Sequence, residues 1–486
     1  MTIRSLTLGL LAGATLAFGA HAADTNAEGA AALTKALTGW LPEKIAASQF
    51  LTAVPEGDHY KIDLDFAKLV NGLAPPDAGV VVSGSQSMKI YPPEGAEGLM
   101  AVKGEPQALD IRAKWDKAPE KGSLAYLVKD FEWSGQFDPA IRLFRSGMGH
   151  ASGGTVTMDD GKQKLEASFG PLDFTQSSTA NPDKTTDLAS GGTIAGFKET
   201  ITGPDTPPVT FTIDKLKADA TIKRVKVNEI KELIGFVMDH AKEKDLKVED
   251  KKALALLARK ALPLLSSIDE NVVMDNIIVA APGVGVKIQN VTYGFGMNGL
   301  TDNSNFRLAF GFTNPEVTGI PQVLAYGDLI PKDFRMNIAI PNLNFASAAN
   351  AFFDQADFDK PEPLTKEQSD AIGKLFLKDG RVDVDVPELS ARSNLYDISV
   401  TGKFSSFVEE KPVKATAEFD VTARNIDGTI KGIQELAQRV PDLNTASFGL
   451  MMAKGVAKTD PDGTSHWKVE VSDDGVVKIN GQQLPH

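Results

Sequence analysis

Period-two alternation, broken every few residues by glycine, proline, asparagine or aspartate, is the feature that most narrows what this chain can become. In Lys61-Ile-Asp-Leu-Asp-Phe66, Ile62, Leu64 and Phe66 share one face, and Asp63 and Asp65 share the other. Further strand-like segments cover residues 79–90, 107–115, 123–137, 153–158 and 164–169, then 272–279, 284–297, 305–312 and 334–340. Val382, Val384 and Val386 open another run, followed by residues 395–404, 415–423, 467–471 and 476–479. Turn clusters such as Tyr91-Pro-Pro-Glu-Gly95 and Asp159-Asp-Gly161 separate them. Short strands with one apolar face and frequent turns point to an antiparallel sheet. Between Val209 and Val227 the alternation changes phase twice, which predicts bulges.

Helical spacing interrupts this pattern. Leu33, Leu37, Leu41 and Ile45 recur within residues 26–52, with Pro42 forcing a kink or restart and Trp40 beside the stripe, expected to dock on the sheet. Ile230, Leu233, Ile234, Val237 and Met238 form one amphipathic stripe, and Leu254, Leu257, Ala261 and Leu265 a second. A helical insert over 345–377 holds the capping box Thr365-Lys-Glu-Gln368, with Gly380 as a helix stop. Ile430, Ile433, Ala437 and Val440 mark a third, ending before Pro441. Three times a strand feeds a helix through an Asn or Asp turn, at Asn228, Asn342 and Asn425-Ile-Asp427. The expected fold is α+β: a large, mainly antiparallel, curved β-sheet architecture with three helical inserts.

The first residues predict export. Arg4 precedes an apolar run from Leu6 to Phe18, and Ala20-His-Ala22 is a small-x-small cleavage site, so the mature chain is expected to begin at Ala23 in the periplasm. The run is too short for a membrane span, which needs about 20 apolar residues, and no transmembrane helix is expected in the mature chain. The organisation read from the sequence is a signal peptide at 1–22, a helical segment at 23–58, a strand-rich region at 59–266 ending in a helical pair, and a strand-rich region at 267–486 with two helical inserts and a carboxy-terminal hairpin. The 486 residues contain no cysteine, so an exported fold rests on burial without disulfides, and a thiol nucleophile and a lipidated cysteine are both excluded. The net charge of −13 makes phosphate backbones and anionic headgroups unfavourable partners, and no nucleic acid is expected.

Motifs that carry chemistry fail on context. Gly294-Phe-Gly-Met-Asn-Gly299 matches a dinucleotide fingerprint, but Asp302-Asn-Ser-Asn305 follows where a helix would have to open. The glycines read instead as easing a crowded strand or hairpin. His59, His150, His240 and His466 form no H-x-x-x-H pair, so no metal and no cofactor is expected. The acid pairs Asp63/Asp65 and Asp383/Asp385 fall on the solvated faces of strands. Asp460-Pro-Asp-Gly463 starts like a calcium loop but lacks the later glycine and glutamate. No G-x-S-x-G exists, and His150-Ala-Ser152 is the nearest approach to a hydrolase element.

One apolar row stands out. Tyr293, Phe295 and Met297 share a face of one strand, and Phe306, Leu308, Phe310 and Phe312 a face of the next. Apolar faces ordinarily bury, so closed core is the expectation. The alternative is a groove for acyl chains, with Phe306, Phe310 and Phe312 as ligand-binding candidates.

From Asn425-Ile-Asp-Gly428, through a helix to Gln438, to Trp467-Lys-Val-Glu-Val-Ser-Asp-Asp-Gly-Val-Val-Lys-Ile-Asn-Gly481, the chain resembles uncharacterised bacterial envelope families. These are domain of unknown function 2125 and, more distantly, domain of unknown function 945. The resemblance is clearest over residues 380–486 and rests on a closing hairpin with Asp-Gly and Asn-Gly turns. It implies a strand-rich periplasmic protein loosely similar to AsmA-like lipid-handling proteins, and no functional residue is carried over from it. The chain therefore reads as a non-enzymatic envelope protein that binds or shields an apolar ligand or assists envelope assembly, with a lipid or another envelope protein as partner. The alternatives are a structural or interaction scaffold without ligand, a hydrolase with a site assembled from distant residues, and an outer-membrane barrel. Against the barrel stand the charged helices and the absence of a terminal aromatic.

Overall fold

A computed structural model describes residues 25–483, apart from 39–40, 42, 74–79, 94–97, 117–120, 139–142, 241–242, 244, 361 and 408–413. The export segment, Trp40 and Leu484-Pro-His486 lie outside the described residues. The architecture is α+β and rich in strand, with mainly antiparallel sheet as the alternation predicts. The chain divides into two compact units. One holds the residues up to Pro208 together with Thr221–Ala261, and the other holds Val209–Ala220 and Leu262–His486.

In the first unit, α1 (Ala27–Thr38) and α2 (Glu43–Ala46) precede a hairpin of β1 (Leu51–Glu56) and β2 (His59–Asp65). Strand pairing thus starts at Leu51, ahead of the alternation first legible at His59. Leu33, Leu37 and Ile45 are buried in one cluster with Leu51, Tyr60 and Ile62, so the helical stripe docks on this hairpin. Phe66 does not end the strand. It opens α3 (Phe66–Leu73), and Asp65 caps that helix by accepting the Lys68 N–H at 3.1 Å.

The segment read as one strand over 79–90 is two, β3 (Val80–Ser83) and β4 (Ser85–Ile90), which pair with different partners. The break is Gly84 at φ +131°, where any Cβ would strike the Asp110 carbonyl. β5 (Met100–Lys103), β6 (Gln107–Trp115), β7 (Gly122–Asp138), β8 (Leu143–Ala151), β9 (Gly153–Asp159), β10 (Lys164–Phe169), β11 (Leu172–Ala180) and β12 (Thr186–Thr202) follow. Strands β8, β11 and β12 escape sequence reading because stretches such as Gln176-Ser-Ser-Thr-Ala180 offer little apolar contrast between their faces.

β13 (Val209–Val225) slips twice, as expected. Asp214-Lys215 and Lys223-Arg224 are both exposed in succession, and Arg224 takes φ +53°. The pair α4 (Val227–Asp239) and α5 (Val248–Ala261) follows. The first apolar stripe is covered only in part: Met238 packs on the core, whereas Ile234 and Val237 are exposed.

The second unit is a meander. β14 (Ser267–Ala281), β15 (Val284–Met297), β16 (Ser304–Thr318), β17 (Asp333–Leu343), β18 (Arg381–Arg392), β19 (Asp397–Phe407) and β20 (Ala415–Arg424) pair each with the next. A short α6 (Pro321–Leu324) bridges β16 and β17, and α7 (Phe345–Gln355) with α8 (Lys366–Phe376) bridges β17 and β18. The Thr365 capping box forms, but α8 stops at Phe376, ahead of Gly380, which sits at φ +69° in a separate turn. After β20 come α9 (Ile426–Ala437) and α10 (Leu443–Gly455), then β21 (Lys458–Thr459), β22 (Ser465–Val471), β23 (Val477–Ile479) and β24 (Gln482–Gln483).

The insert read as a single third helix is therefore a pair, like the other two. α10 was not legible because Leu443-Asn-Thr-Ala-Ser-Phe-Gly-Leu450 lacks a clean helical stripe and carries a glycine. Asn342 and Asn425 are both left-handed, and Asn425 caps α9 through the Gly428 N–H at 3.3 Å. Asn228 plays no such part, since it lies inside α4.

Candidate functional site

Register builds the site in the second unit. Val272 on β14 faces Tyr293, which faces Phe310, which faces Met336, which faces Leu389. The row continues to Val400, Val421 and Trp467. Eight strands thus place an apolar side chain in one line, and at the usual spacing of about 4.8 Å between strands it runs roughly 34 Å. Leu308, opposite Phe295 and Ile338, starts a parallel line, and Phe312, opposite Val291 and Phe334, starts another.

Helices cover this face at its ends. Phe345 of α7 meets Phe306 at 5.6 Å between ring centroids and is met edge-on by Phe376 of α8 at 4.6 Å. The hairpin turn before β16 holds that helix in place. Asp302 accepts the Ser347 N–H at 2.6 Å at the α7 N-terminus, and the fully buried Ser304 donates to the Gly299 carbonyl at 2.6 Å. At the other end Trp467 is buried against Ala423, Ile426 and Ile430, and its indole N–H donates to the Ala453 carbonyl of α10 at 2.7 Å.

Between those covers the face is open. Leu308 is 40 % exposed, Phe310 36 %, Leu389 36 % and Phe404 37 %. The expectation of closed core therefore fails at Phe310. Phe306 and Phe312 are half-buried, Phe306 beneath Phe345 and Phe312 stacked on Phe334 at 5.3 Å. All three candidates share one apolar face, with Phe310 the most accessible. Leu389 was missed because the β18 register shifts between Val386 and Leu389. That bulge moves the apolar parity from even to odd numbers, and Pro387 inside a period-two run is the signal that marks it.

The opposite face is charged. Asp385 faces Lys403, which faces Glu418, which faces Glu470, which faces Lys478. A polar hollow of about 730 Å³ is lined here by Asn342, Arg381, Asp383, Lys403 and Glu418 among others. Its acids are already matched. Asp383 accepts from Ser405 Oγ at 2.5 Å and Asn342 Nδ2 at 3.2 Å, with Arg381 at 3.1 Å. Lys468 and Lys403, at 3.1 and 3.4 Å, hold the Glu418 carboxyl below its usual range. These ladders fix register and keep the face in water.

The remaining candidates are dispersed. Asp63 accepts from Ser87 at 2.5 Å, and His59 lies 2.8 Å from Asp58. His150 meets its cross-strand neighbour Asp173 at 2.7 Å, while Ser152 donates to Asp130 at 2.6 Å, so His150 and Ser152 do not pair. His466 contacts Asp460 at 2.8 Å across the Asp460-Pro-Asp-Gly463 turn. Gly294 packs against Ala309 within its strand pair, and Gly299, at φ +90°, turns beside the Leu265 carbonyl. The motif thus serves a crowded hairpin.

Comparison with protein-family models, with curated proteins and with solved structures returns no match. No helix among the described residues is long and apolar enough to cross a membrane.

Proposed function

We propose that this is an exported, non-enzymatic envelope protein that holds the acyl chain of a lipid along the open apolar face of its second unit. The observation that carries the reading is the unbroken apolar register from Val272 to Val421, with Phe310 and Leu389 left 36 % exposed in its middle. A contiguous apolar patch on a folded protein marks a binding surface, and a chain laid on it gains about 0.8 kcal/mol per buried methylene. A run of roughly 29 Å at ordinary strand spacing leaves room for a long acyl chain. Flexible Met336 in the row and aromatic rings around it suit a ligand of variable shape. This agrees with what the carboxy-terminal resemblance implies, and the Arg4 to Ala22 export pattern supports a periplasmic compartment.

The test is organic extraction of the protein purified from periplasm, followed by mass spectrometry, with titration of a fluorescent fatty acid. A co-purifying lipid, lost in Phe310→Asp, supports the reading. Lipid-free protein that also fails to bind the probe leaves a ligandless scaffold. That second reading has its own observation: α10 exposes Phe448, Met451 and Met452, a surface of the kind other proteins dock on.

A further inference from the structure

The junction of α4 and α5 gathers three groups, His240, Glu243 and Asp250. One ligand atom from each lies within 4.8 Å of the other two. His240 is the C-cap of α4, and Asp250 stands in the first turn of α5. We propose that these residues form a binding site for one divalent transition-metal ion of the zinc class.

The tautomer of His240 is set by its own helix. Nδ1 lies 2.8 Å from the Phe236 carbonyl, which only accepts, so Nδ1 carries the proton and donates it. The Phe236 ring stacks on the imidazole at 4.2 Å and an interplanar angle of 24°, which fixes its orientation. This leaves the Nε2 lone pair directed at the Asp250 carboxylate, 3.4 Å away, with both side chains at or below 26 % exposure. With the ring neutral, two acceptors face each other, an arrangement that a bound cation would relieve. A second N–H on a protonated ring would draw the pair together, since charge-assisted hydrogen bonds run about 2.7–2.9 Å. At 3.4 Å the separation is long for that. It matches a metal instead: bonds of about 2.1 Å to nitrogen and oxygen at a tetrahedral angle place the two ligand atoms roughly 3.4 Å apart.

A carbonyl on the far ring nitrogen is also the usual outer partner of a metal-bound histidine. Glu243 is exposed and supplies the third ligand from the solvent side, leaving the fourth position to water. One imidazole with two carboxylates suits zinc, cobalt or manganese. Calcium, which takes 6–8 oxygens, finds too few.

The test uses the full chain without an affinity tag, labelled with ¹⁵N-histidine. On zinc addition the His240 Nε2 resonance should move to the metal-bound position while Nδ1 stays protonated. Binding should be one ion per chain, with hydrogen exchange slowed over residues 236–250. Asp250→Asn and His240→Gln should each weaken it at least tenfold, whereas His466→Asn should leave it unchanged. Should His240→Gln fail to fold, Asp250→Asn with the wild-type resonance shift decides alone. An unmoved His240 resonance at saturating zinc, or undiminished affinity in Asp250→Asn, overturns the proposal and leaves an ion pair between helices.

Discussion

Replacing Phe310 tests whether the apolar row is a surface or an interior. Its ring is 36 % exposed, so about two-thirds is covered, against Phe312, Phe334 and the cross-strand Tyr293 and Met336. Burying a whole phenylalanine side chain stabilises by about 1.5–3 kcal/mol, so the covered fraction is worth roughly 1–2 kcal/mol. A core Phe→Ala change costs about 3–5 kcal/mol because a cavity term adds to the transfer term. Here the space left by the ring opens to water, and that second term vanishes. Phe310→Ala should therefore cost about 1–2 kcal/mol. Phe310→Trp should be near neutral, where overpacking a closed core costs about 1–3 kcal/mol. Urea unfolding followed by circular dichroism reads both. The same alanine variant should bind a fluorescent fatty acid about five- to thirtyfold more weakly, the equivalent of 1–2 kcal/mol. A loss above 3 kcal/mol for alanine, together with a penalty for tryptophan, refutes the open face.

Other expectations follow from single contacts. Trp467→Phe removes the N–H to the Ala453 carbonyl and shrinks a buried ring, and should destabilise by about 1–3 kcal/mol in the same unfolding assay. The Asp187 carboxyl is lowered to about 2, chiefly by the Arg224 backbone N–H, then by Asn181 and Lys223. Its folded value lies below its unfolded value, so its stabilisation is complete above about pH 4 and fades as pH falls toward 2. Asp187→Asn should flatten stability across that window, and a ¹³C titration of the carboxyl should show the low midpoint. Intact mass of periplasmic protein should give a chain starting at Ala23, and a retained Met1 on membrane-bound material would refute export.

Local pattern was sufficient for much of the fold. Strands β6, β10 and β15 begin and end where their alternation does, because side-chain parity and turn residues are properties of neighbouring residues. The capping box at Thr365 and the left-handed turns at Asn342 and Asn425 are local in the same sense. Pattern failed where contrast is weak, in the Ser- and Gly-rich β11 and β12 and in α10. It also failed where a bulge reverses parity, which hid Leu389 behind Pro387.

Sequence alone determined that Phe306, Phe310 and Phe312 share a face, since a strand turns its side chains out in alternation. Whether that face is closed depends on which elements lie over it, and no periodicity encodes that. Only the tertiary structure set α7 over Phe306 and α10 over Trp467, leaving Phe310, Leu389 and Phe404 uncovered between them. The same holds for His240 and Asp250. Each is an ordinary polar residue near a helix end, and they meet because α4 and α5 pack on one another.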